Sequence, residues 1–172
     1  NFLQLNPLQR LSERSANLQV VAAGGTVEVS VGGEAISSRM QSIVDGFEHD
    51  FSGREYRRVP RSYHDFGAEA GSEVVIDVIY DRTVEIATIR LIEGGNNAFS
   101  EIEAQVLVGG EWQPVPGDTI ISQMPDPTIP FQMIDFQLPD PIMGEGIRII
   151  AILPGDLRLP EITVAELDAL SP

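Results

Sequence analysis

Residues 72–94 read SEVVIDVIYDRTVEIATIRLIEG. Apolar and polar side chains alternate on both sides of Asp81-Arg82, so the run predicts two strands, 73–80 and 84–94, joined by a turn. The same texture continues with EIEAQVLV (101–108), WQPVP (112–116), TIISQ (119–123), PFQMIDFQL (130–138), GIRIIAIL (146–153) and EITVAEL (161–167), and an earlier run, TVEVS (26–30), alternates too. GGNNAFS, GGE, PDPT, PDPIMGE and PGDLRLP separate them, each rich in turn formers. No helical period alternates with the strands, which excludes a βαβ parallel sheet. The expectation is an all-β protein, an antiparallel two-sheet β-sandwich without internal repeat.

At 172 residues the chain is long enough for one domain with a sizeable core. Residues 1–18, with Leu3, Leu5, Leu8 and Leu11 around Pro7, read as an N-terminal arm or linker, and residues 19–172 as the sandwich. Residues 34–46 lose the strand period before Asp45-Gly46, and 47–72 hold none, so both read as loops. Gly24-Gly25, Gly32-Gly33 and Gly109-Gly110 read as turns, because no lysine or phosphate-loop pattern accompanies them.

The formal net charge is -15, and every basic residue is arginine. Such a surface repels phosphate backbones and anionic lipid heads, so nucleic acid and membrane surfaces are poor partners. With no cysteine, disulfides, thiolate metal sites and a Cys nucleophile are excluded. No window approaches 18 uninterrupted apolar residues, so direct membrane insertion by a helix is not expected. The chain starts at Asn1 and reads as a processed or trimmed polypeptide.

In order along the chain, IVDG, then SEVVIDVIYDRTVEIATIRLIEG, EIEAQVLVGGEWQPVP, GIRIIAIL and ITVAELDAL resemble the discoidin or coagulation factor 5/8 C-type domain. That is a galactose-binding-like jelly roll which includes sugar-binding modules of bacterial enzymes. The resemblance spans roughly residues 20–170 and is carried by Asp45 and Gly46, Val75-Ile76-Asp77, Val84, Ile89 and Leu91, Trp112 and Val115, Ile147-Arg148-Ile149, and Ile162, Glu166 and Leu167. The chain departs from the family in lacking the T-x-W stretch after the DG loop and the disulfide of animal members. The resemblance implies that the last strand lies near the first. It also implies a structural Ca²⁺ at the DG loop, with Asp45 and Glu166 as metal ligands; Ca²⁺ takes such hard oxygen donors.

REYRRVPRSYHDF (54–66) gathers arginines beside Tyr56, Tyr63 and Phe66 in an otherwise acidic chain. Aromatic faces stack on sugar C–H faces and arginine forks bond hydroxyls or carboxylates, so Tyr56, Arg57, Arg58, Tyr63 and His64 are candidate ligand-binding residues. The same residue types serve protein interfaces. Asn96, Asn97 and Phe99, in the GGNNAFS segment, are further candidates for hydroxyl recognition. Trp112 reads as a core or edge-packing residue and is left out of the site. His49-Asp50 and His64-Asp65 are adjacent pairs whose side chains diverge on extended chain, which argues against a dyad.

No activated nucleophile, metal triad or cofactor motif is present, so an enzyme is not expected. The expectation is an extracytoplasmic, non-catalytic module that binds a glycan or surface polymer through loops at one end of the sandwich. The alternative is a structural subunit of a larger assembly, docking on a partner protein through its loops and arm.

Overall fold

The computed structural model describes residues 16, 26–36, 64–67, 71–93, 101–116, 133–153 and 161–172, with the backbone alone at 36, 64–67, 93, 133 and 161–166. Its strands are β1 (Thr26–Val31), β2 (Glu34–Ile36), β3 (His64–Gly67), β4 (Glu73–Glu93), β5 (Glu101–Val108), β6 (Glu111–Pro114), β7 (Met133–Ile152) and β8 (Glu161–Leu170). All described pairings are antiparallel. They join in one eight-stranded sheet, ordered β2-β1-β4-β7-β5-β6, with β8 on β4 and β3 on β8. The expected strand 119–123 and Gly24-Gly25 lie outside the described residues.

Two expected turns are instead corners within continuous strands. Asp81-Arg82 does not end a strand, since β4 runs 21 residues through it. PDPIMGE likewise lies inside the 20-residue β7. The β4–β7 register explains how. Tyr80, Asp81, Arg82 and Thr83 stand against Glu145 alone, and Leu138, Pro139, Asp140 and Pro141 stand against Ala87 alone. Each excess bends one strand and leaves residues without ladder partners, a place that tolerates exposed charges and prolines. The two excesses cancel, so Ile89 faces Phe136 in the same register as Ile76 faces Ile149.

That cancellation exposes an internal repeat that the sequence reading missed. IDVIYDRTVEIATIRLI (76–92) aligns with IDFQLPDPIMGEGIRII (134–150), and Ile76, Asp77, Ile89, Arg90 and Ile92 recur as Ile134, Asp135, Ile147, Arg148 and Ile150. In this alignment each corner falls on the other corner. β4 and β7 are therefore pseudo-symmetric partners across their shared ladder. Two cross-strand forks mark the symmetry. Arg148 donates from Nε and Nη2 to Asp77 at 2.6 and 2.7 Å, and Arg90 donates likewise to Asp135 at 2.9 and 3.0 Å.

Chain connectivity shows that the sheet folds back on itself. A straight strand as long as β4 would span roughly 65 Å. Yet Gly67 pairs with Glu161 of β8, whose Val164 pairs with Glu93 at the far end of β4. Four residues later Gly71 donates its N–H to Leu153, which donates its own to Ser72 at the start of β4. Four Cα steps reach at most about 15 Å. The corners are thus the crease of a sandwich. One leaf holds β2, β1, the first half of β4, the second half of β7, β5 and β6. The other holds the first half of β7, the second half of β4, β8 and β3.

The leaves enclose one apolar cluster. Val74, Ile76, Val78, Ile147, Ile149, Ala104 and Val106 come from the first leaf and Ile89, Leu91, Ile134, Phe136 and Leu167 from the second, all at most 2 % exposed. Burying each large aliphatic side chain contributes about 1.5–3 kcal/mol. Ala16, within the stretch read as an arm, is 5 % exposed in the same cluster.

Three shorter departures have local causes. Glu34–Ile36, read as loop, pairs with β1 across Gly32-Gly33, and β3, read as aperiodic, adds to the edge of β8; both need only an edge to pair with, not a sequence period. β8 and β1 line the same side of β4 in succession, β1 on Val74–Ile79 and β8 on Thr88–Glu93. The phase change in β8, from Ile162 and Val164 to Leu167, is a register slip between Ile92/Glu166 and Glu93/Val164 with Ala165 as the extra residue.

Gly109 and Gly110 form a two-residue hairpin turn at φ 58° and 84°, which suits the twist of the flanking strands and favours glycine. Glu145, opposite the β4 corner, accepts the Gly109 N–H at 3.0 Å.

Candidate functional site

The end of the sandwich opposite the crease collects the strand termini. On the first leaf these are Glu73, Glu101 and Ile152, in one row, with Gly32 donating to the Glu73 carbonyl at 2.9 Å. On the second leaf, His64, Val164 and Glu93 form a row across β3, β8 and β4. The described strands that flank 68–70, 94–100 and 154–160 belong to opposite leaves. A ligand at this end would meet backbone held by two ladders.

The structure brings His64 level with Glu93, the residue from which the Asn96, Asn97 and Phe99 segment departs, with β8 between them. At the usual strand spacing the two backbones are about 10 Å apart. Glu166 is one row nearer the crease, paired with Ile92. Tyr56, Arg57, Arg58, Tyr63, Asn96, Asn97, Phe99 and Asp45 lie outside the described residues. The described rim is acidic, with Glu73 and Glu101 exposed. Among the described residues no group of three or more Asp, Glu or His side chains could hold a metal ion.

A crevice of about 240 Å³ opens elsewhere, between the β7 corner and the end of β6, lined by Val106, Val115, Leu138 and Ile142 with Pro139 and Asp140 at its lip. It lies at the crease, away from the open end, and no aromatic side chain lines it.

Of the two expected places for Trp112, core or edge packing, the structure shows the edge. Trp112 stands outside the core cluster, half-buried on the outward side of β6. There its ring centroid is 4.2 Å from the Arg148 guanidinium, a favourable cation–π stack. The Arg148 pKa is raised, chiefly by the hydrogen bonds it donates to Asp77, against desolvation that lowers it. The signal available in the sequence was parity: Trp112 pairs with Leu107, which alternates with the core residues Ala104 and Val106.

No protein-family profile matches the sequence, and no curated protein matches it. Solved structures do match. The family 32 carbohydrate-binding module of Streptococcus pneumoniae EndoD aligns with a TM-score of 0.57 at 10% identity, over 87% of this chain and 97% of that one. CBM32-3 from a family 31 glycoside hydrolase of Clostridium perfringens aligns at 0.54 and 15% identity, over 95% and 98%. The family 32 module of C. perfringens NanJ, solved in complex with galactose, aligns at 0.52 and 15% identity, over 84% and 93%. At such identities the likeness is one of fold. The chain has the galactose-binding-like β-sandwich fold of the family 32 carbohydrate-binding modules, as its resemblance to discoidin domains implies.

Proposed function

We propose that this chain is a non-catalytic, extracytoplasmic glycan-binding module whose ligand sits at the open end of the sandwich. The observation that carries the reading is that His64 stands level there with Glu93, the root of the 94–100 segment, on a fold that the galactose-bound NanJ module shares. Tyr56, Tyr63 and Phe99 would stack on sugar rings, and Arg57, Arg58, His64, Asn96 and Asn97 would bond the hydroxyls. Glycan arrays followed by calorimetry test it. Tyr63→Ala and Arg58→Ala are each expected to weaken binding about tenfold or more, since each removes a contact worth about 1–3 kcal/mol. Unchanged affinity in both variants, or blank arrays, would overturn the reading.

The proposal includes a structural Ca²⁺ held by Asp45 and Glu166, which would anchor the DG loop to β8. The backbone of Glu166 pairs with Ile92 in the β4–β8 ladder. Calcium at 100 times its dissociation constant would stabilise the fold by about 2.7 kcal/mol. Excess EDTA should then lower the melting temperature, and Asp45→Ala should abolish that response. A melting temperature indifferent to EDTA, with no calcium by elemental analysis, removes the ion from the proposal.

A further inference from the structure

The two outward faces of the sandwich are related by the internal repeat but differ in burial. On the second leaf Ile92 is fully buried outside the core cluster, beside Asp168 at 3 % and Leu170 at 1 % exposure. The chain itself closes that face. On the first leaf Ile150, the repeat partner of Ile92, is half-buried, as are its neighbours Val75, Ile79, Leu107 and Trp112. These lie in two rows, Val75 with Ile150, and Ile79 with Leu107 and Trp112 across Gly146, on either side of the row of Asp77, Arg148 and Gln105.

The charge on this face is one-sided. Glu28, Glu73, Glu101 and Glu103 are exposed around these rows. Among the described residues Arg148 is the cation on it, and its guanidinium is engaged by Asp77 and by the Trp112 ring. A second copy would set acid against acid, in a chain whose net charge is already -15, so the face does not suit self-association. The patch spans roughly 20 Å by 20 Å, about 400 Å² and half of what a stable interface uses per partner, which suits a short segment better than a whole domain. Trp and Arg are the residue types that carry binding energy at such surfaces.

We infer that the outward face of the first leaf docks a short extended polypeptide segment of a partner protein, with aliphatic side chains on the Val75, Ile79, Ile150 and Leu107 rows, flanked by lysine or arginine. Trp112, stacked with Arg148, anchors one margin. The inference is independent of glycan binding at the open end.

The chain has a single tryptophan, so its fluorescence reports this face directly. The probe is a short peptide alternating lysine and valine, with the glutamate–valine peptide as control. A saturable change is expected with the lysine peptide alone, weakened at least tenfold by 1 M NaCl and by the Glu101→Lys, Glu103→Lys double variant. Thermal unfolding of that variant checks that it is folded, and indole N–H and methyl shifts locate the contact. No saturable response would overturn the inference. So would an equal response to the glutamate peptide or from the charge-reversed variant, or shifts at this face produced instead by a neutral oligosaccharide or by a second copy of the chain. Tyr63→Ala should leave the peptide titration unchanged, so the two readings fail separately.

Discussion

Phe136→Ala is expected to be among the most destabilising single truncations in this domain, at about 3–5 kcal/mol. Phe136 is 2 % exposed, pairs with Ile89 across the β4–β7 ladder, and lies before the corner, where β7 still runs in the second leaf. Its neighbours hang on two ladders that cannot collapse independently, so the cavity would persist. Urea unfolding should show a lower midpoint with an unchanged slope, and the melting temperature should fall by roughly 10 °C. A loss below about 1 kcal/mol would mean that the leaves do not meet over this ring.

Gly144→Val should cost about 3 kcal/mol, by crowding where Phe136→Ala acts by cavity. A Cβ at Gly144 would come 2.7 Å from Val106 Cγ1, 3.0 Å from the Leu107 carbonyl oxygen and 3.1 Å from Ile86 Cδ1. The carbonyl belongs to the β5 ladder and has nowhere to go. Gly146 is similarly confined, with the Val78 carbonyl oxygen 2.8 Å from its would-be Cβ. Both glycines flank Glu145, the residue opposed by the β4 corner, so the crease requires small residues on the strand that does not bulge. Gly110→Asn is the contrasting control: nothing lies within 4 Å of its would-be Cβ, and asparagine tolerates its left-handed conformation. Equal losses at Gly144 and Gly110 would refute a steric crease.

Much of the fold was legible because the alternation of Val74, Ile76 and Val78, and of Ala104 and Val106, is a one-dimensional signal of a buried face. β5 agrees with its expected bounds for that reason, and Gly109-Gly110 is the turn its composition implies. The corners were misread because Asp81-Arg82 and Pro139-Asp140-Pro141 carry the chemistry of turns. A bulge that redirects a strand exposes its extra residues much as a turn does, and only the partner strand reveals which has formed. Short strands at Glu34–Ile36 and His64–Gly67 were invisible for a related reason. Their pairing comes from the edges of β1 and β8, not from their own pattern.

The candidate site divides in the same way. Residue chemistry singled out His64 and the Asn96, Asn97 and Phe99 segment, but that His64 stands level with Glu93, from which that segment departs, depends on β8 lying between β3 and β4. For Trp112 the sequence leaves core and edge packing both open, and its register with Leu107 and its stack on Arg148 decide for the outward face.

By itself, the sequence determined the class of structure: strands without helical period, a single apolar face on most of them, and a charge balance hostile to polyanions. These follow from local periodicity and composition, which each segment carries alone. Tertiary structure decided where β4 and β7 bend, that they repeat one another, and which outward face is closed by the chain and which is left open. Those outcomes depend on register between residues far apart in sequence, where one strand's excess is meaningful only against the residue it passes.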